Sequence, residues 1–139
     1  MRIYLCGPIN GCTDEECKDW RLDARLRLPK HKMVDPMVRD YRGREEECLN
    51  EIVELDKKDI DGSDVILVNF PKPSVGTCME IMYAWERDKT IIIVVPKGVS
   101  QSPWLKYHSD FIVDTFEEAY KLLEDTVLFV DEKQCEFVL

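Results

Sequence analysis

The chain has few of the residues that mark a metal centre. Its two histidines, His31 and His108, stand far apart. None of the six cysteines, at positions 6, 12, 17, 48, 78 and 135, pairs with another as C-x-x-C. That excludes the zinc-ribbon and thioredoxin patterns, and neither a metal nor a cofactor is expected. Basic residues are also scarce: 19 Lys and Arg face 28 Asp and Glu, for a net charge of -9. An acidic surface repels a phosphate backbone, so a nucleic acid polymer is not an expected partner. A local pocket can still oppose the global charge and take one small nucleotide. No apolar run is long enough to span a bilayer, and "MRIYLCGP" opens directly as a strand rather than a leader. Cysteines inside apparent strands and helices behave as small hydrophobes. These absences lead us to expect a reduced, cytoplasmic protein with no membrane partner.

The chain has 139 residues, 45% apolar and 34% charged, enough for one domain over 1–139 with a real core. "RIYLCG" is a short apolar run ended by Gly7-Pro8, which predicts a buried first strand. Thr13 and Glu16 form a T-x-x-E capping box opening a helix over 15–28, with Trp20, Ala24 and Leu28 on one face and Pro29 stopping it. "HKMVDP" predicts a short second strand. Residues 45–60 carry helical periodicity through Leu49, Ile52, Val53, Leu55 and Ile60. "VILVNF" and "TIIIVVP" are continuous apolar runs of the kind covered on both faces in parallel sheets. "TCMEIMYAWERD" between them predicts a helix. "KGVSQSPWLKYHSD" is a loop with one helical turn, and "FIV" a short strand. Thr115 and Glu118 form another capping box, opening a helix to about Glu124. The final "TVLFVDEKQCEFVL" suggests a β-hairpin or an added edge strand.

Alternation of strands and helices predicts a single-domain, doubly wound α/β fold. Its sheet is expected to be mostly parallel, five-stranded and flavodoxin- or Rossmann-like, with helices on both faces. Ligands bind such sheets beyond the carboxyl ends of the strands. That rule selects residues 7–11, 35–44, 69–77 and 96–102.

Within those stretches each feature has a structural and a chemical reading. "TCME" repeats the T-x-x-E spacing, so Glu80 either caps a helix or meets a ligand from the helix's first turn. In "GPINGC", Gly7 and Gly11 serve a tight turn or let the backbone approach a ligand. The loop is neither G-x-G-x-x-G nor a Walker loop. Asp56, Asp59, Asp61 and Asp64 crowd the end of a helix, where acidic groups oppose the macrodipole. They are a solvated face or include a functional group. Arg39, Arg42 and Arg44 surround Tyr41, as surface charge or as a clamp on an anionic or aromatic ligand.

Together these residues resemble the nucleoside 2-deoxyribosyltransferase family, with its smaller 2'-deoxynucleoside 5'-monophosphate N-glycosidases. Three ordered motifs carry the resemblance: "IYLCGPING", Asp56 followed by Asp64 and "VILVNF", and "GTCMEIMYAWERDKTIIIVV". The resemblance implies that Glu80 is a nucleophile toward an anomeric carbon, with Asp56 assisting proton transfer and Tyr4 holding the Glu80 carboxylate. It implies a substrate site drawn from Gly7, Pro8, Ile9, Asn10, Gly11, Ser74, Gly76, Thr77, Arg39 and Arg42. The transferases carry Asp six residues before the nucleophile. This chain has Ser74 there, like the monophosphate N-glycosidases, in which that Ser contributes to the 5'-phosphate site. Ser102 would be a second phosphate contact supplied across a homodimer interface. A further departure is Met82, where the family often has Gly.

The implied activity is hydrolysis of the N-glycosidic bond of a nucleoside 5'-monophosphate through a glycosyl-enzyme intermediate. The alternatives are base exchange between nucleosides, NAD cleavage, and a non-catalytic nucleotide-binding module on the same fold. A carboxylate folded back onto Thr77 is not free to attack. Glu80 is therefore expected to point into a pocket, unlike Glu16 and Glu118.

Overall fold

A computed structural model describes residues 1–125. Its elements are β1 (Arg2–Cys6), α1 (Trp20–Arg27), β2 (Lys32–Val34), α2 (Leu49–Asp61), β3 (Val65–Asn69), α3 (Val75–Glu86), β4 (Thr90–Val94), α4 (Pro103–Tyr107), β5 (Phe111–Val113) and α5 (Phe116–Glu124). The five strands form one sheet in the order β2-β1-β3-β4-β5, and every pairing is parallel. The expected doubly wound α/β sheet is thus entirely parallel among the described residues. The expected carboxy-terminal hairpin lies outside the described residues.

Strand periodicity sorts the core into two layers. Ile3, Leu5, Val65, Leu67, Ile92 and Val94 face α1 and α5, against Ala24, Leu28, Ala119 and Leu123. Tyr4, Cys6, Ile66, Val68, Ile91 and Ile93 face the other way, against Ile60 of α2, Ile81 and Ala84 of α3, and Leu105 of α4. Successive residues point to opposite faces, so a strand covered on both sides is apolar at every position. Each fully buried large apolar side chain contributes about 1.5–3 kcal/mol.

The strand order reverses beside β1. The chain leaves β1 for β2 on one side and later returns to β3 on the other. A crevice opens at such a switch point beyond the strand ends. Gly7 follows β1 there, and a Cβ on it would lie 2.9 Å from the Trp20 ring and 3.3 Å from Asn69. Only glycine permits that approach of loop to helix and to β3.

Arg21 of α1 lies beneath the same strand end with no exposed surface. Its guanidinium donates to the carbonyls of Cys17 (2.5 Å), Gly7 (3.1 Å) and Leu5 (3.4 Å), and Asp35 lies 3.7 Å away. Burial lowers its affinity for the proton, and Asp35 opposes that.

Helix starts follow caps where caps exist. Thr13 and Glu16 bond reciprocally, Thr13 N–H to Glu16 Oε1 at 3.0 Å and Glu16 N–H to Thr13 Oγ1 at 3.2 Å. The helix they open begins as a wide π segment, Glu15–Asp19, before α1 proper. Thr115 caps α5 through the amide of Glu118. Two expectations are corrected. The helix expected over 45–60 begins at Leu49, behind a cap at Cys48 that makes no side-chain hydrogen bond. The helix expected from Thr77 begins at Val75, because Ser74 is extended and its Oγ accepts from Thr77 N–H. The cap is therefore Ser74 with Thr77, not Thr77 with Glu80.

Gly7→Ala is expected to lower unfolding stability by about 1–3 kcal/mol in urea titrations, through the clash with Trp20. Gly62→Ala, whose Cβ would meet nothing closer than 3.6 Å, is expected to cost under about 1 kcal/mol.

Candidate active site

Glu80 stands in the second turn of α3, one turn deeper than its spacing from Thr77 suggests. The helix-terminus field fades within the first turn, so local contacts govern its charge. Those contacts come from β1. Tyr4 and Cys6 alternate onto the face that α3 covers, and both are fully buried. Tyr4 donates its hydroxyl to Glu80 Oε1 at 3.2 Å. Cys6 Sγ lies 3.0 Å from Oε2. Glu80 does not bond back to Thr77 as Glu16 does to Thr13. It is half-buried by exposed area because a pocket opens above it, yet protein surrounds the carboxylate almost completely.

Burial and the neighbouring Asp56 charge push the Glu80 pKa up to about 7, while Cys6, Tyr4 and Arg21 pull against that rise. Asp56 is also raised, by burial first, with Arg39 lowering it and Asp59 adding to the rise. Burial raises Tyr4 and Cys6 as well, with the Glu80 charge next, so both stay protonated donors. Two carboxyl groups in one low-dielectric site thus both hold a proton more tightly than exposed acids do, and Glu80 is carried up to about 7. Acid–base chemistry needs such a poise.

A cavity of about 260 Å³ opens over this pair. Gly7, Pro8, Ile9 and Asn10 form one wall, and Ser74, Gly76 and Thr77 at the start of α3 form another. Asp56 and Glu80 line it together, with Arg39 and Arg42 on the remaining side. Arg39 donates to Asp59 at 2.6 Å and reaches Asp56 at 3.5 Å. Arg42 is held by Asp40 at 2.7 Å, by Asp14, and by the Cys12 carbonyl at 3.2 Å. Its charge is therefore largely spent on the loop itself. Arg44 lies outside the lining, over the Tyr41 ring at 5.7 Å.

Tyr4 holds the Glu80 carboxylate from beneath the cavity. Two other expected residues, Gly11 and Ser102, lie outside the lining. Gly11 holds the turn with φ +74°. Ser102 caps α4 and lies in a separate apolar depression with Cys78, Met82 and Trp104. Within one chain it does not meet Glu80, and Met82 belongs to that depression rather than to the cavity. The other acids ending α2 have structural partners: Asp61 accepts from Tyr83 at 3.0 Å, and Asp64 accepts from the amide of Arg2 at 2.8 Å.

Pro36 and Tyr41, within the selected stretch 35–44, also line the cavity. Several residues escaped the sequence reading: Glu45 and Ile52, outside the selected stretches, line it too. Cys6 had a signal, standing two residues beyond Tyr4 on one strand face. Arg21 had one too: Cys17, Arg21, Ala24 and Leu28 form an i, i+4, i+7, i+11 stripe, and all four are buried. Among the described residues no cluster of His, Cys, Asp and Glu could hold a metal ion. No helix there is long and apolar enough to cross a membrane.

A parallel α/β sheet with a carboxylate pair at its switch point is a candidate site for a small molecule, since folds of this class bind ligands there. The family is narrower still. The profile described as nucleoside 2-deoxyribosyltransferase like matches residues 1–99, so the chain belongs to that family. Membership supports an enzyme of glycosyl transfer or cleavage. No curated protein matches the chain in sequence. Among solved structures, a 2-deoxyribosyltransferase from Bacillus psychrosaccharolyticus is similar at TM-score 0.70 and 16% identity, over 86% of this chain and 90% of its own. The CMP N-glycosidase BcmB of Clostridium botulinum gives TM-score 0.59 and 19% identity, over 89% and 99%. A conserved protein of Enterococcus faecalis V583 gives 0.67 and 13%, over 86% and 94%. At these identities the likeness is one of fold.

The raised Glu80 pKa makes a stability prediction. The folded state binds this proton more tightly than the unfolded one, so its stabilising effect is full below about pH 4.5 and lost as pH rises through about 7. Glu80→Gln is therefore expected to gain stability over the wild type as pH rises from about 5 to about 8, by up to about 3 kcal/mol. Paired denaturation curves at the two pH values measure the gain.

Proposed function

We propose that the protein cleaves the N-glycosidic bond of a nucleoside 5'-monophosphate, with Glu80 as nucleophile. The observation that carries this reading is the buried Glu80 carboxylate on the cavity floor, held by Tyr4 and set beside Asp56. Ionised Glu80 attacks the anomeric carbon as the bond to the base breaks, and forms a glycosyl ester. The departing base takes a proton from the Asp56 carboxyl, whose affinity for it is raised. Water then attacks the anomeric carbon, giving its proton to Asp56 as the bond to Glu80 breaks and its carboxylate leaves. The transition state is oxocarbenium-like, and the carboxylate traps it as in retaining glycosidases.

Ser74 favours a phosphorylated substrate. Its Oγ accepts from Thr77 N–H at 3.5 Å and from Thr77 Oγ1 at 3.0 Å, which leaves its own O–H free to donate into the cavity. The neighbouring amides at the start of α3 favour an anion. An Asp in this place would repel one.

We extend the reading to a homodimer. Val75 and Met79 of α3 and Trp104 and Tyr107 of α4 are each about two-thirds exposed or more, and exposed large apolar side chains on these two helices suit an interface. A second copy seated there would place Ser102 at the interface, in line with its expected contribution to the neighbouring site.

Purified protein is expected to release base from 5'-monophosphates, and Glu80→Ala to lower kcat at least about a thousandfold while folding normally. Ser74→Asp is expected to raise KM for monophosphates but not for nucleosides. Activity confined to free nucleosides would refute the phosphate assignment, and a new nucleoside formed with added base would reveal exchange. Trp104→Glu is expected to shift the sedimentation mass from dimer to monomer. A wild-type monomer would refute the dimer.

A further inference from the structure

Glu80 has two donors within reach, and only Tyr4 figures in the reaction above. We propose that Cys6 is a second positioning residue for Glu80, its thiol donating to Oε2 while Tyr4 donates to Oε1. The inference rests on the reading of Glu80 as nucleophile and adds a residue to it.

The geometry leaves the thiol little choice. Cys6 has no exposed surface, so no water competes for its hydrogen. Glu80 Oε2 is 3.0 Å away, and the Thr77 carbonyl, its other acceptor, is 3.9 Å away. Burial and the Glu80 charge push the thiol up, so it remains S–H rather than a thiolate that would repel the carboxylate. Tyr4 and Cys6 are neighbours on one face of a strand paired on both sides, by β2 and β3. Two donors on so rigid an element fix the carboxylate plane, which a single hydroxyl would leave free to rotate.

Sulfur suits the task. A thiol is a weak donor, so it orients an oxygen while withdrawing less of its electron density than a hydroxyl would. The groups acting on Glu80 come from three elements. Tyr4 and Cys6 lie on β1, Asp56 on α2, and buried Arg21 on α1. Asp56 disfavours the ionised carboxylate, while the other three favour it. Removing Cys6 therefore shifts the balance toward the protonated form.

The test is a pH titration of Glu80 by NMR of isotope-labelled glutamate carboxyls, with its resonance identified by loss in Glu80→Gln. Cys6→Ala is expected to raise the midpoint by about one unit. Cys6→Ser, which restores a donor, is expected to leave it at or below the wild-type value. The acid limb of kcat/KM for base release is expected to move with the midpoint. A Cys6→Ala midpoint equal to that of the wild type would overturn the proposal, because a purely packing role lowers Tm without moving the titration. If Cys6→Ala fails to fold, the S–H infrared band decides: it is expected to shift between wild type and Glu80→Gln, and an unchanged band overturns the proposal. The titration needs no turnover. Absence of base release from every substrate would thus overturn the functional reading separately from the role of Cys6.

Discussion

A guanidinium sealed from water sits beneath the carboxyl end of β1, and the walls of the cavity converge on it. Arg21 binds the carbonyls of Leu5, Gly7 and Cys17 and faces Asp35. It therefore joins the end of β1, the glycine loop, the entry to α1 and the end of β2. A buried cation without such partners would be costly, and loop carbonyls without a donor nearly as much. Each satisfies the other. Gly7 completes the junction, since the Trp20 ring occupies the space a side chain would need.

The opposite face of β1 carries the complementary charge problem. Glu80 is a carboxylate taken out of water, and its neighbour Asp56 makes ionisation harder still. Tyr4 and Cys6 offset part of that cost by donating to its two oxygens. The result is a group poised near neutrality rather than one stabilised as an ordinary surface acid. Local instability concentrates where a reactive group is needed, while the apolar layers of the sheet supply the stability elsewhere.

Much of the fold was legible in the chain. The runs "VILVNF" and "TIIIVVP" predicted buried parallel strands, and Thr13/Glu16 and Thr115/Glu118 marked real helix starts. The same spacing at Thr77/Glu80 marks no cap, and Glu80 lines the cavity instead. Ser74 supplies the cap there, three residues before Thr77, which the T-x-x-E pattern implied as the cap. The pattern measures separation along the chain, and separation does not tell which residue is extended. The helix over 45–60 was drawn too long for a related reason. Periodic apolar residues begin only at Leu49, and the preceding turn carries Glu45 to the cavity instead.

The sequence by itself determined the layered architecture, since alternating apolar strands and helices can bury their faces in few ways. It also marked Tyr4, Asp56 and Glu80, through motifs whose order mirrors the family. Tertiary structure alone decided how those groups meet. Glu80 lies 76 residues from Tyr4 along the chain and 3.2 Å from it in space. Cys6 became a partner of Glu80, and Arg21 an anchor of the loop, only when burial removed the water that would otherwise have solvated them. Hydrogen bonding and charge depend on that surrounding dielectric, and no local pattern of residues encodes it.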